Sequence, residues 1–92
     1  MIHYSLWYYS SHNFTFDLLK KDKHLLELGN QIRELRKSKG LSQEQLALQS
    51  AVDRSYVGGI ERGERNVSFL TLVKIADCLE CDVAKFTIGI PK

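Results

Sequence analysis

The chain has 92 residues, a net charge of +2 at neutral pH and a hydrophobic fraction of 43%; that length suits one domain rather than two, and that hydrophobic share excludes a wholly disordered chain. So small a charge is no argument for nucleic acid, so any such case must rest on where the charges stand. No apolar run reaches the ~18 residues of a membrane helix, the start MIHYSLWYY lacks the basic region and cleavage site of a secretion signal, and two cysteines make no disulfide framework, so a cytoplasmic, nucleoid-associated protein without a membrane partner is expected.

The chain divides near residue 22. Before that point Ile2, Tyr4, Leu6 and Tyr8 alternate with His3, Ser5, Trp7 and Tyr9. A period of two favours a strand. The polar stretch Ser10–Asn13 reads as a turn, and Phe14 and Phe16 could open a second short strand. The competing reading is an unstructured tail, although so many aromatic rings are costly to leave in water. Residues 1–21 are therefore expected to be an aromatic extension used for dimerisation, through Ile2, Tyr4 and Leu6.

From Asp22 the pattern turns helical. Leu25, Leu28, Ile32 and Leu35 recur at three- and four-residue steps, which makes one apolar stripe. Gly40 suits the residue just past the helix end, after Lys37 and Lys39. Ser42 with Gln45 three residues on forms a capping box for a second helix whose Leu46 and Ala47 face inward. Ala51-Val52-Asp53 is a tight connection, and Asp53 can cap a third helix that buries Val57 and Ile60 and stops at Gly63. Ser68 caps a fourth helix, in which Phe69, Leu72, Val73, Ile75, Ala76 and Leu79 are available for burial. Asp82 can cap a short fifth helix ending near Lys85. Beyond it, Phe86, Ile88 and Ile90 alternate as in a strand, and residues 87–92 are expected to be a C-terminal strand or tail.

Two short helices joined by three residues, the second carrying exposed Arg, Ser and Tyr, constitute a helix-turn-helix arrangement. The major groove of B-DNA admits one α-helix. The first helix crosses the backbone, and helix N-termini offer unpaired N–H groups to phosphates.

The tract LSQEQLALQSAVDRSYVGGIERGERNVSFLTLVKIADCLE resembles the Xre/Cro family of helix-turn-helix transcriptional regulators, and DRSYVGGIERGERN resembles controller proteins of restriction–modification systems. The resemblance covers residues 28–86 and rests on the spacing of Gln43, Leu46-Ala47, Val57, Ile60-Glu61 and Gly63. It implies a mostly α fold, a five-helix lambda-repressor-like domain over residues 22–86, to which the periodicity adds short terminal strands. It also implies that Gln43 donates to a phosphate, and that Arg54 and Ser55 reach base edges. An arginine can bond both O6 and N7 of guanine. Tyr56 is assigned to the same reading face, with half-burial against the second helix as the alternative. Arg62, Arg65 and Asn66 are expected on phosphates, with solvated surface charge as the alternative for the two arginines. Glu61 is implied to be structural, with Arg36 a candidate partner.

Gly58-Gly59 stands inside a helix, where each glycine costs about 1 kcal/mol against alanine. One reading is close approach to DNA; the other is a kinked or frayed helix that orders on binding. Either leaves base reading to Arg54 and Ser55.

No catalytic set, metal site or cofactor motif emerges, and no enzyme is expected. Cys78 and Cys81 are spaced as in a redox or metal pair, but no second Cys or His pair follows, and core packing explains them. His3, His12 and His24 show no ligand spacing. The expected partners are double-stranded DNA and a second copy of the chain, with no small-molecule ligand. The expected function is transcriptional regulation by a homodimer on a palindromic operator, acting on its own gene as well. Specificity calls for two half-sites about 34 Å apart, and a dimer surface is expected from the terminal segments, including Phe86 and Ile88, or from the fourth and fifth helices. The alternative is an antitoxin or adaptor that grips a protein through its N-terminal segment; a weaker one is a fold that has lost DNA binding.

Overall fold

The computed structural model describes residues 22–91. The N-terminal strands expected over Ile2, Tyr4 and Leu6 lie outside the described residues. Five helices follow in order: α1 (Lys23–Ser38), α2 (Gln43–Ser50), α3 (Arg54–Glu61), α4 (Phe69–Cys78) and α5 (Ala84–Thr87). Among the described residues no helix is long and apolar enough to cross a membrane.

Local chemistry sets most of the boundaries. Asp22 accepts from the N–H groups of His24 and Leu25 and starts α1. Ser42 accepts from Gln45 N–H, while the Gln45 side chain accepts from Ser42 N–H, completing the capping box of α2. Asp53 caps α3 and Ser68 caps α4 through the N–H of Thr71. Satisfying donors that the helix itself cannot pair is what makes these residues stable starts. Gly40 and Gly63 both adopt positive φ just past α1 and α3. At Gly63 a side chain would also meet the backbone of Leu26, its Cβ coming 2.9 Å from the Leu26 Cα. Helix α3 must end there for two independent reasons.

The core is a single cluster drawn from all five helices. Ile32 and Leu28 of α1, Leu46 and Ala47 of α2, Val57 and Ile60 of α3, Leu72, Ile75 and Ala76 of α4, Leu79 and Phe86 are buried together. Helix α1 packs on α3 and α5, while α2 packs on α3 and α4. Helix α3 is thereby wedged between the two helices that precede it. Gly29 makes the α1–α3 approach possible: a Cβ there would run into the Ile60 carbonyl and lie 2.7 Å from that of Glu61.

Three expectations need correction at the C-terminal end. Residues 84–87 are helical, and no strand occurs among the described residues. The alternation of Phe86, Ile88 and Ile90 is real, but Phe86 sits on a helical turn that drops its ring into the centre of the core. A ring so enclosed is not available for dimerisation. Ile88 remains exposed, and its carbonyl accepts from Gln31 Nε2 at 2.8 Å, which ties the end of the chain to α1. Finally, α5 starts from Val83 without a side-chain cap, so Asp82 does not play the role its position suggested.

Helix α4 also departs from expectation. Phe69 and Val73 do not join the core; with Leu70 they form an apolar stripe on the outer side of the helix, 66%, 40% and 72% exposed for Phe69, Val73 and Leu70.

Candidate nucleic-acid interface

The helix-turn-helix unit is α2, the turn Ala51–Asp53 and α3. Ala51 takes the left-handed conformation at φ 58, and its N–H and that of Val52 close onto the last turn of α2. The turn reverses the chain within three residues and sets the angle at which α3 leaves.

Asp53 then organises the start of α3. Its carboxylate accepts from the N–H groups of Ser55 and Tyr56 and from the Ser55 hydroxyl. The Ser55 hydroxyl first, then the Tyr56 N–H, hold the Asp53 carboxyl below its ordinary pKa. Arg54 is exposed at the first position of α3, its Nε 3.4 Å from Glu44 Oε1 on α2. Both partners of this pair face solvent, so it is weak and leaves the guanidinium free to exchange partners. Tyr56 is half-buried, and the Arg65 guanidinium carbon lies over its ring at 5.5 Å from the centroid.

The far end of α3 is held from beneath. Glu61 is buried, and Arg36 donates to it twice, from Nε to Oε2 at 2.6 Å and from Nη2 to Oε1 at 3.0 Å. This two-point geometry is the strongest form of arginine–carboxylate contact. Arg36 Nη1 donates to the Leu41 carbonyl at 2.7 Å. Arg33, one turn earlier on α1, donates to the Glu61 carbonyl at 3.1 Å, with its Nε 3.6 Å from Oε1. Burial alone would push the Glu61 carboxyl up, but the hydrogen bonds from Arg36 and Gln43, with the charges of Arg36 and Arg33, hold it below its ordinary value. The same pairing raises the pKa of Arg36 against its own desolvation.

Gln43 joins this network rather than standing free. Its Nε2 donates to Glu61 Oε1 at 2.9 Å. A carboxylate only accepts, so the amide orientation is fixed and one of its two N–H donors stays available. Arg62 pairs with Glu64 at 3.0 Å and Asn66 is exposed in the loop between α3 and α4. Gly58 and Gly59 are buried, and the helix runs through them from Arg54 to Glu61 without a break. What covers them is arginine: a Cβ on Gly58 would come within 3.0 Å of Arg62 Nη1, and one on Gly59 within 2.9 Å of Arg65 Cγ. Neither a kink nor fraying is needed to explain the pair.

The structure thus gathers Gln43, Arg54, Ser55, Tyr56, Arg62 and Arg65 on or beside α2 and α3. Sequence reading passed over Arg33 as a Glu61 partner, although its three-residue spacing from Arg36 puts both on one helix face. It also passed over the Glu44–Arg54 pair. Elsewhere, the Cys78 thiol is pushed up by burial and by Asp77 and Glu80, and the Cys81 thiol by burial, so both are neutral at physiological pH. Both cysteines pack against the core.

Comparison with known proteins settles the family. Residues 32–86 match the family described as Helix-turn-helix (HTH_3). This chain belongs to it. The control protein C.SmaI of Serratia marcescens is 45% identical over 58 residues, spanning 63% of this chain and 69% of that protein. The crystal structure of the restriction–modification controller protein C.AhdI from Aeromonas hydrophila superposes with a TM-score of 0.67 at 52% identity, covering 67% of this chain and 94% of that one. The controller protein C.Esp1396I, solved as a tetramer in complex with its natural operator, superposes with a TM-score of 0.67 at 38% identity over 74% of this chain and 91% of that one. The chain is a helix-turn-helix transcriptional regulator of the controller type; its family consists of DNA-binding regulators and not of enzymes.

Proposed function

We propose that the protein binds a palindromic operator as a homodimer and regulates transcription from it, including that of its own gene. The observation that carries this reading is the exposure of Arg54 and Ser55 on the first turn of α3, with the Arg65 guanidinium laid over Tyr56 on the same turn and Gln43 held at the far end by Glu61. Arg54 exchanges Glu44 for a guanine edge. The Ser55 hydroxyl donates its hydrogen bond to Asp53, so its oxygen is left as an acceptor, suited to the amino groups of adenine or cytosine. Tyr56 flanks these two on the base-facing side. The free N–H of Gln43 and the side chains of Arg62, Arg65 and Asn66 meet phosphates and set the register.

Dimerisation follows from the outer stripe of α4. Phe69, Leu70 and Val73 give an exposed apolar stripe of the kind that a protein–protein contact covers, and Ile88 offers further apolar area. The extension over residues 1–21, with Ile2, Tyr4 and Leu6, adds to this contact. The operator-bound tetramer of C.Esp1396I supports self-association on DNA in this group of proteins.

The test is footprinting of wild type and Arg54→Ala on the DNA upstream of the gene. Wild type is expected to protect two symmetric half-sites, and Arg54→Ala to lose sequence preference while keeping salt-dependent, non-specific affinity. Unchanged specific protection by Arg54→Ala would show that α3 is not the reading element.

A further inference from the structure

The double glycine and the arginines beyond α3 fit together in a way that a DNA-reading helix alone does not require. Residues 53, 56 and 59 lie in one row along α3 at three-residue steps. The Arg65 side chain, which starts beyond the helix end, runs backwards along that row. Its Cγ, Nε and Cδ stand 2.9, 3.2 and 3.6 Å from where a Gly59 Cβ would be. One turn on, its guanidinium carbon lies over the Tyr56 ring, and its charge is felt at Asp53. Any side chain at 59 would occupy the space of the Arg65 stem, and because the blocking atom is Cγ, near the root, the whole side chain beyond it must shift.

We propose that Gly59 is a positioning residue for DNA binding: its missing side chain forms the trough that lays Arg65 along α3 and delivers the guanidinium, braced on Tyr56, to the N-terminal reading end. Arg65 is then held over Tyr56, on the first turn of α3, before DNA arrives, so little of its rotamer freedom is lost on binding. The helix accepts the propensity cost of glycine at this position in exchange for that placement. The inference rests on the DNA-binding reading above.

The experiment compares wild type, Gly59→Ala, Arg65→Ala and the double variant, all as full chains. The probe is a fluorescein-labelled duplex enriched from a random-sequence pool by wild-type protein. Gly59→Ala is expected to unfold at the same temperature as wild type or higher, because alanine favours the helix, yet to bind the duplex about tenfold more weakly. In the Arg65→Ala background the same substitution should cost nothing further. Proton NMR gives a readout that does not involve DNA: the Arg65 guanidinium protons, expected upfield in wild type because that group lies over the Tyr56 ring, should return to ordinary positions in Gly59→Ala. Full affinity in Gly59→Ala, an equal loss with and without Arg65, or a retained upfield shift each overturns the inference alone. A wild-type chain that enriches no duplex removes the DNA-binding reading and the inference with it.

Discussion

Arg36 of α1 and Glu61 at the end of α3 form a buried two-point ion pair, with Nε and Oε2 2.6 Å apart. The pair joins α1 to the last residue of α3, and it holds Gln43 of α2 by the same carboxylate. Removing one partner strands the other charge in the core. Glu61→Gln should therefore destabilise the fold by about 3–5 kcal/mol, read by urea denaturation at neutral pH. A loss below about 1 kcal/mol would mean that water or another carboxylate takes the place of Glu61.

The same residue predicts an acid limb. Glu61 has a depressed pKa in the folded chain, so the folded state holds its proton less tightly than the unfolded chain does. The stability it contributes is complete above the unfolded value near 4.5 and is lost as pH falls through the folded pKa. Asp53 shifts in the same direction and adds to the slope. Unfolding free energy measured from pH 6 downward should fall more steeply in wild type than in Glu61→Gln. Parallel pH profiles would assign the acid limb to other carboxylates.

Gly29→Ala offers a case where propensity and packing disagree. Alanine gains about 1 kcal/mol in a helix interior, but the added Cβ lands against the carbonyls of Ile60 and Glu61. Backbone cannot yield as a side chain can, and overpacking typically costs 1–3 kcal/mol or more. A net lowering of the melting temperature is expected, with weaker operator binding because α3 is pushed off α1. A rise in melting temperature would show that the two helices separate freely.

Ala51→Gly should act in the opposite sense. Ala51 holds φ 58 in the helix-turn-helix connection, a region that costs an L-residue roughly 1–2 kcal/mol. Glycine removes that strain but loses more entropy on folding, so a net gain of about 0.5–1 kcal/mol is expected by thermal or urea unfolding. A destabilised Ala51→Gly would mean that the alanine methyl contributes packing worth more than the strain.

Replacing Leu70 with Glu tests the outer face of α4. Leu70 is 72% exposed and contributes nothing to the core, so its substitution should leave the melting temperature of the monomer nearly unchanged. Sedimentation equilibrium should show at least a tenfold weaker dimer, since like charges would face each other across a two-fold axis. Dimerisation equal to wild type would place the contact elsewhere, with the extension before residue 22 the next candidate.

The local code of this chain was legible by itself. Caps at Ser42, Asp53 and Ser68, stops at Gly40 and Gly63, and the apolar stripes of α1 and α3 are short-range features, each set by residues within one helical turn. The Glu61–Arg36 pairing was legible through the family resemblance alone. Tertiary packing decided the rest. Phe86 alternates with its neighbours as a strand residue would, yet it is helical because the core has a space for its ring beside α1. Phe69 and Val73 fit a buried stripe by period, but the core takes up the adjacent face of α4 and leaves them outside. Gly58 and Gly59 read from sequence as a costly pair explained by close approach to DNA or by a kinked helix, and Gly29 carried no signal of its own. Their reason lies in atoms distant along the chain or beyond the helix end, the carbonyls under α1 and the Arg62 guanidinium and Arg65 stem over α3, and no pattern of neighbouring residues records the space a missing side chain leaves for them.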